Sequence, residues 1–389
     1  MWVQLTLISR RGVLVTSLAL GWCYLNDPMM AMGQSQTRTR VDVYTDEWIT
    51  VVSPGASGSV AASDQVTVEG GYSVDILSGA THVLTTDAVS SATHFDEVRH
   101  EAHVSTSVLV TPRWSVGAGY TMSFEPDYAT HAVTLSTGSE ILDRMAQWSL
   151  SYGISFETVG QVTDERFSES GHGHSLTFGW THILGKTTTI TATLNGSMSF
   201  CGTVIGCHAN PYRFVPVVTS GDPVSGIAFS LRERHPDDRF RGAAGVRLTQ
   251  HLGSGFALSG AYRFYGDSWE ITGHTLETGL AFGAWDERLI LRLDARGSFQ
   301  NAASFFRDDY RTEQDSGVGP TYRSADRELS ELLTGQLGFG VAVHFPAVGP
   351  FVRLGINARV ARGVYQYDDV NEFSERHAWI AGGGLDAEF

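Results

Sequence analysis

In the C-terminal half of the chain, arginines and carboxylates recur two residues apart. At this spacing they could form salt bridges or bind anions. The segment LILRLDARGSF, residues 289–299, places Arg292, Asp294 and Arg296 on one parity and mostly apolar side chains on the other. Successive strand side chains point to opposite faces, so these charges would share a face. Neighbouring segments add charges of the same polar parity: Arg241, Arg247, Arg263, Glu277, Arg353 and Arg359. Rows of arginine either brace a structure through salt bridges or favour anions, and both interpretations stay open.

A second charged set lies in the segment FDEVRHEAHV of the N-terminal half. Period-two spacing puts Glu97, Arg99, Glu101 and His103 on one face and His100 on the other. His103 and Glu101 could bind a metal, but the segment lacks the helical histidine spacing of zinc sites. An arginine–carboxylate ladder explains the same residues, so we predict no metal and no other cofactor.

The segment SGHGHSLT contains the residue types of a lipid hydrolase. His172, His174 and Ser175 resemble the histidine and serine that barrel hydrolases use. Adjacent strand residues point to opposite faces, however, and no third partner is identifiable. The sequence therefore predicts a protein without catalytic activity, and the hydrolase is a minor alternative.

The N-terminus has the pattern of an export signal. Two arginines precede the apolar run GVLVTSLALGWCYL, and Ala31 and Gly33 supply small residues for cleavage. We expect residues 1–33 to be a cleaved signal peptide. A twin-arginine signal and a lipoprotein signal at Cys23 are weaker alternatives.

Two cysteines remain after the signal peptide. Cys201 and Cys207 lie in FCGTVIGCHANP, six residues apart. In an oxidising compartment such a pair would close a small loop, whereas two cysteines alone make a poor metal site. We predict a disulfide between them in a surface loop.

The elements that must position these residues are strands with strict alternation. WSVGAGYTMSF, AQWSLSYGISF and TTITATLNGSMSF each set aromatic and aliphatic residues against Ser, Thr and Gly. No helical period competes over a comparable length. So many polar faces need water on one side and an apolar solvent on the other, which is typical of a transmembrane β-barrel. A soluble two-sheet protein is the alternative.

Connection lengths give the strand count and the domain boundaries. Short links alternate with long ones, as expected for turns on one side of a membrane and loops on the other. The predicted fold is all-β, a single transmembrane antiparallel barrel of about 14 strands over residues 65–389. Residues 34–64 are predicted to be a periplasmic or plug segment, or half of an extra hairpin that raises the count to 16. The chain ends in an aromatic residue, Phe389, which resembles the signal read by the barrel assembly machinery.

Composition excludes other classes. The net charge is -15 at pH 7, so the basic surface that nucleic-acid binding requires is not expected. Beyond the N-terminus there is no apolar run long enough for a membrane helix.

Several blocks together are similar to a known family: YSVDILSGAT, FDEVRHEA, NPYRFVPV, YRFYGDSWEITGHT, AASFFRDDY and SADRELS. Over residues 40 to the end the chain resembles an uncharacterised family of Gram-negative outer-membrane-barrel-like proteins, catalogued as a domain of unknown function. The resemblance implies a barrel in the outer membrane, surrounded by its lipid. Members of that family are often encoded near a small lipoprotein and a periplasmic flavin-attachment enzyme, so the resemblance implies a small lipoprotein partner and an envelope redox or cofactor-handling system.

The function expected from these observations is a gated or narrow solute pathway through a barrel, biased toward anions by arginine. Residues 201–238 and 301–328 are long enough to fold inward over it. A structural or interaction barrel with a closed lumen is the alternative. The residues expected to line the lumen are the arginine set with Glu277 and Asp294, and Glu97, Arg99 and Glu101.

Overall fold

A closed antiparallel barrel of sixteen strands forms the body of the protein. The computed structural model describes residues 35–81, 93–162, 164, 166–202, 207–209, 211, 213–218, 227–307, 310–311, 321–347, 349, 351–368 and 374–389. The expected signal peptide, residues 1–33, lies outside this described part. No helix among the described residues is long and apolar enough to cross a membrane.

The strands run in sequence order around the barrel and close where the first strand meets the last. The wall strands are β1 (Gln36–Thr45), β2 (Ile49–Ala61), β3 (Val66–Thr81), β4 (Thr93–Thr111), β5 (Trp114–Glu125), β6 (Tyr128–Ile141), β7 (Ala146–Gly160), β8 (Ser168–Gly185), β9 (Thr188–Cys201), β12 (Asp238–Gly253), β13 (Phe256–Asp267), β14 (Thr272–Ala284), β15 (Leu289–Gln300), β17 (Leu332–Phe345), β18 (Arg353–Tyr367) and β19 (Glu375–Glu388). Closure pairs Gln36 with Glu388 and Thr45 with Trp379. Every wall strand thus has two neighbours, which satisfies its backbone in lipid.

The strand count corrects the first expectation. Sixteen strands are present rather than fourteen, because residues 36–61 form the hairpin β1–β2 inside the wall. The segment 34–64 is therefore not a separate plug. Asp46 makes the turn: its carboxylate accepts hydrogen bonds from the backbone N–H groups of Trp48 and Ile49, both at 2.8 Å.

The two ends of the barrel differ. At one end, here called the short-turn end, seven brief connections join the strands and both ends of the described wall meet, the Phe389 N–H donating to the Ser35 carbonyl at 2.8 Å. Glycine is required in one of these turns, since Gly255 has φ +82° and an added Cβ would lie 2.3 Å from the Gly283 carbonyl oxygen. The other end, the long-loop end, contains the segments 202–237 and 301–331.

The outer face is an apolar band. Leu150, Leu194, Leu293 and Leu337 all lie on it and are largely exposed. They share one parity of the paired strands, while Arg292, Asp294 and Arg296 occupy the other. The opening segment is therefore a membrane wall with lipid on its leucine side and the lumen on its charged side.

A small sheet lies at the long-loop end. It contains β10 (Phe214–Val218), β11 (Ile227–Arg232) and β16 (Tyr310–Arg311) in the order β11-β10-β16. A short 3-10 helix, Arg327–Leu329, follows. The two long connections are thus joined to each other by backbone pairing.

Candidate functional site: the barrel lumen and its mouth

The lumen holds every charged residue that the sequence analysis assigned to it. The register places them all on the face opposite the exposed leucines: Glu97, Arg99, Glu101, Arg241, Arg247, Arg263, Glu277, Arg292, Asp294, Arg296, Arg353 and Arg359. Their shared face follows from strict alternation, since a strand side chain two residues away returns to the same side. Their placement is thus observed, and their role in selectivity stays a prediction.

One part of the inner wall is rich in arginine. On strands β12–β18 the lumen face contains eight arginines and three carboxylates; the arginines are Arg239, Arg241, Arg247, Arg263, Arg292, Arg296, Arg353 and Arg359, and the carboxylates are Asp267, Glu277 and Asp294. We call this surface the arginine arc. Its cationic excess gives this side of the lumen a positive potential.

The carboxylates of the arginine arc hold some of its arginines in place. Arg247 Nη2 lies 2.7 Å from Glu277 Oε2, and Arg296 Nε lies 3.8 Å from the other oxygen of the same carboxylate. Arg359 Nη2 lies 2.8 Å from Asp294 Oδ2. The Arg247 side chain remains 32% exposed, so these pairs stand in water within the lumen.

Three arginines of the arc have no carboxylate in contact. Among the described residues, Arg241, Arg263 and Arg292 lie in no ion pair. The salt-bridge interpretation therefore accounts for part of the arc only. The remaining guanidinium groups can bind an anion that enters the lumen.

The opposite wall is uncharged over most of its height, which the sequence analysis did not single out as a feature. Between their ends, strands β5–β9 present to the lumen almost only Ser, Thr, Gly and Asn. We call this surface the hydroxyl arc. In the ring of sixteen strands β5 is diametrically opposite β15, and β7 is opposite β18. The sequence does indicate this surface, because Ser, Thr and Gly occupy alternate positions of these strands.

Glycines of the hydroxyl arc make room for its hydroxyl groups. A Cβ at Gly153 would lie 2.6 Å from Ser175 Oγ, and one at Gly117 would lie 2.7 Å from Ser136 Oγ. Small side chains leave space on this side of the lumen, whereas long arginines extend from the other side.

The charged set on β4 forms a ladder. Arg99 Nη2 lies 3.3 Å from Glu101 Oε2, and Arg99 Nε donates to Ser123 Oγ at 2.8 Å. His103 Nε2 lies 3.9 Å from Glu69 Oε1 on β3. His100 faces the outside, as its parity indicated.

The residue types of a hydrolase are separated by the wall. Ser175 faces the lumen, while His172 and His174 face outward, where their rings meet edge to face at 5.8 Å. The serine and the histidines cannot act together, so the geometry argues against the hydrolase alternative.

A disulfide-closed loop folds into the mouth of the lumen at the long-loop end. The structure joins Cys201 and Cys207. Cys207 is buried against Tyr128, Val159 and Phe167 of the inner wall and its adjoining loop. A Cβ at Gly171, on the lumen face of β8, would lie 2.7 Å from Cys207 Sγ. Glycine at that position therefore leaves the space that the disulfide loop needs to pack against the inner wall.

These sulfurs also belong to the one group of potential metal ligands found among the described residues, with His208. A disulfide sulfur offers no thiolate, so this group does not suit a metal ion.

A buried tryptophan joins the disulfide loop to the other side of the mouth. Trp269, in the β13–β14 connection, contacts the His208 ring at 5.9 Å and the His235 ring at 5.0 Å. The Arg239 guanidinium stacks over its indole at 3.8 Å. His235 Nδ1 lies 2.8 Å from the His208 carbonyl oxygen. The loop from β9 is thereby attached to the rim at β12–β14.

Burial leaves His208 neutral at this position. Desolvation, with the positive charge of Arg241 added, lowers the pKa of the His208 imidazole from 6.5 to about 3. Protonation of His208 would place a second cation beside Arg241, so the closed mouth requires the neutral ring.

The two long connections form one cap over the rim. Arg234 pairs with Arg323 through backbone hydrogen bonds of 3.0 and 2.8 Å. Beneath this pairing, Glu233 is fully buried with Arg213 and with His235, whose Nε2 lies 3.2 Å from its carboxylate. Burial opposes ionisation of Glu233, but the Arg213 guanidinium and the hydrogen bonds from His235 and Ser324 outweigh it and lower its pKa. The ion pairs hold the cap as one unit.

Solvent exposure falls from the lumen to the mouth. Arg247 and Arg359, halfway up the wall, keep about a third of their side-chain surface in water, with exposures of 32% and 30%. Near the long-loop end, Arg241, Cys207 and Trp269 are buried. Nε and Nη2 of Arg241 have no hydrogen-bond partner among the described residues. The arrangement is a wet lumen beneath a packed, cationic constriction.

A family profile described as "Protein of unknown function (DUF3570)" matches residues 90–372, well over half of the chain. No curated protein matches the sequence.

Solved structures of similar fold include outer-membrane proteins. The "Bacterial polysaccharide outer membrane secretin" superposes with a TM-score of 0.51 at 8% identity, covering 92% of this chain and 99% of that one. The outer membrane protein opdK from Pseudomonas aeruginosa gives 0.44 at 8% identity over 92% and 99%. The P. putida toluene transporter TodX gives 0.41 at 12% over 92% and 90%. At these identities the likeness concerns the fold.

Proposed function

We propose a function for the lumen from one established premise: the chain belongs to the family described as "Protein of unknown function (DUF3570)". The protein acts as a gated or narrow solute pathway in the outer membrane of a Gram-negative cell, with no catalysis. The observation that carries the proposal is the wet lumen of a sixteen-stranded wall, a size at which barrels leave an aqueous channel.

The arginine arc supports a preference for anionic solutes. Its eight arginines exceed its three carboxylates, and its strands β15, β17 and β18 lie opposite strands β5, β6 and β7 of the uncharged hydroxyl arc. An anion in this lumen would meet guanidinium groups on one side and neutral hydroxyl groups on the other. On β3 and β4 the lumen carboxylates Glu69 and Glu101 lie beside His103 and Arg99, so the cationic excess of the lumen lies in the arginine arc.

The packing at the mouth supports a pathway that is gated. His208 and His235, in the connection that contains the disulfide loop, contact Trp269 of the rim, and both contacts are side-chain packing that can separate without breaking wall hydrogen bonds. Opening therefore leaves the barrel intact.

The placement in the membrane follows from the two ends. We propose that the short-turn end faces the periplasm and that residues 1–33 are removed after export. Phe389 lies at that end on the outer face and contacts Phe351 at 5.0 Å. It is accessible to the barrel assembly machinery, and outer-membrane lipid covers the apolar band. A small lipoprotein partner stays a prediction from the family resemblance.

Planar-bilayer conductance of the purified protein tests the proposal. We expect discrete openings, and a reversal potential in a salt gradient that shows anion preference. Arg292→Ala and Arg296→Ala should each weaken that preference, while Arg362→Ala, on the lipid-facing side of β18, should not. Cation selectivity unchanged by the lumen substitutions would overturn the role of the arginine arc.

The packed mouth also favours a second candidate, a structural or interaction barrel with a closed lumen. Absence of any conductance, even after deletion of residues 301–328, would support this candidate and contradict the pathway.

A further inference from the structure

Four tyrosine–histidine pairs repeat on the outer face of the barrel. The tyrosine hydroxyl lies 2.6–2.7 Å from histidine Nδ1 in each pair: Tyr72–His100, Tyr120–His131, Tyr152–His174 and Tyr262–His274. Each tyrosine is on a strand that rises toward the long-loop end, and each histidine is on the next strand of the same hairpin. We call these the Tyr–His pairs.

The four pairs occupy the same height. Every tyrosine is the sixth residue after the first residue of its strand, counted from the short-turn end at Val66, Trp114, Ala146 and Phe256. Every histidine lies opposite the residue two positions further on: Val74, Met122, Ile154 and Phe264. Identical register in four hairpins, three of them adjacent over β3–β8 and the fourth at β13–β14, indicates one common level on the outer face.

The height can be worked out from strand geometry. Eight residues at about 3.3 Å each give roughly 26 Å along the strand. A strand tilt of about 40° reduces this to roughly 20 Å along the membrane normal, within an apolar band of about 25 Å. The histidines therefore lie near the edge of the band on the long-loop side, where lipid headgroups begin.

Above this level the outer face is still aromatic. Phe124 and Phe156 lie ten residues from the starts of their strands, and the His100 ring stacks on Phe124 at 5.2 Å. These contacts hold the imidazole flat against the wall, and the partner hydroxyl fixes Nδ1. A phenol that donates to Nδ1 leaves the ring proton on Nε2, so each pair presents an N–H donor away from the tyrosine.

A polar group on a lipid-facing wall costs free energy unless it finds a partner. The partner available at this depth is the phosphate of a lipid headgroup, which accepts hydrogen bonds strongly. We propose that the Tyr–His pairs are binding sites, at one common depth, for the headgroup phosphates of lipids in the leaflet at the long-loop end. These sites anchor the barrel at a fixed depth and order phosphorylated lipid along β3–β8 and β13–β14.

The test uses the full-length mature protein and a defined probe, bis-phosphorylated lipid A, with the dephosphorylated glycolipid as its matched partner. Lipid retained after detergent washing is measured by native mass spectrometry. The variant replaces His100, His131, His174 and His274 by Phe, which keeps the aromatic surface and removes the donors. The control is His182→Phe, since His182 faces lipid on β8 close to the short-turn end.

We expect the native protein to retain lipid A about tenfold better than the four-histidine variant, the factor of one hydrogen bond to a charged group. The His182→Phe protein should match the native one. A difference in gel mobility between boiled and unboiled samples verifies that each variant is folded before boiling.

Equal retention by the four-histidine variant would overturn the proposal, and so would equal retention of the dephosphorylated glycolipid. Recovery of the native protein as an oligomer that the four substitutions dissociate would also overturn it, because the pairs would then contact a second barrel. None of these readouts depends on conductance.

Discussion

Acid should open the mouth through His208. The closed mouth holds the His208 imidazole neutral, with a pKa lowered from 6.5 to about 3 by burial and by Arg241. When the loop lifts into water, the ring regains its ordinary pKa. The open state therefore binds a proton below pH 6.5 that the closed state does not, so closure loses stability as pH falls from 6.5 toward 3.

The size of the effect follows from the same two pKa values. At pH 5 the open state gains about 2 kcal/mol relative to pH 7.5, which shifts the closed–open equilibrium about 30-fold. The cap should remain folded at this pH. The pKa of Glu233 is lowered by Arg213 and His235, so its stabilising charge is present above its ordinary pKa and is lost only at more acidic pH.

The assay is the open probability in planar bilayers at pH 7.5 and pH 5.0, with the acid applied on the long-loop side. Hydrogen exchange of residues 207–209 and 268–271 reports opening independently of current. The matched variant is His208→Asn, which keeps a polar side chain of similar size but does not titrate. We expect most of the difference between the two pH values to vanish in this variant. A full acid response in His208→Asn would refute the reasoning.

Three further substitutions test other contacts. Trp269→Ala should weaken attachment of the cap by about 3–5 kcal/mol, because a buried tryptophan is lost. Proteolysis within residues 227–237 should then rise. The control is Trp285→Ala, which should leave proteolysis unchanged because Trp285 is 75% exposed in a short turn. Gly171→Val should displace the disulfide loop and raise conductance, because its Cβ would lie 2.7 Å from Cys207 Sγ. The control is Gly196→Val, since Gly196 has open space around it. Unchanged conductance in Gly171→Val would contradict packing of the loop against the inner wall. Leu293→Arg should cost about 2–4 kcal/mol in folding into bilayers, since it puts a charge in lipid; equal stability of this variant and the native protein in urea titrations would contradict the assigned outer face.

The wall was predictable because a barrel strand needs only local information. Alternation in residues 289–299 predicts Leu293 on the lipid side and Arg292 on the lumen side whatever the neighbouring strand contains, and the structure puts the two side chains on opposite faces of the wall. The first count of 14 was wrong because residues 36–61 form two wall strands, and the alternative count of 16 is confirmed. The turn there depends on one carboxylate, Asp46, which accepts two backbone N–H groups, and such a turn interrupts the pattern very little.

The mouth was less predictable, because its contacts join distant parts of the chain. The spacing of Cys201 and Cys207 indicated their disulfide, and the length of the two long connections indicated that they could fold inward. That His208 meets Trp269 depends on the positions of three loops at once. The sequence also showed that Ser, Thr and Gly occupy alternate positions of β5–β9, but only the ring order places β5, β6 and β7 opposite β15, β17 and β18 of the arginine arc.

The central claim is that solute passes through the lumen between the hydroxyl arc and the arginine arc. Ser151 lies on the lumen face of β7, diametrically opposite the strand of Arg359, and its neighbour Leu150 faces lipid. The most direct measurement is the single-channel current of Ser151→Cys before and after a charged, membrane-impermeant thiol reagent, with Leu150→Cys as the matched control. We expect the reagent to reduce current in Ser151→Cys and to leave Leu150→Cys unchanged. A current that persists in Ser151→Cys after its thiol is shown to be modified would contradict passage through the lumen.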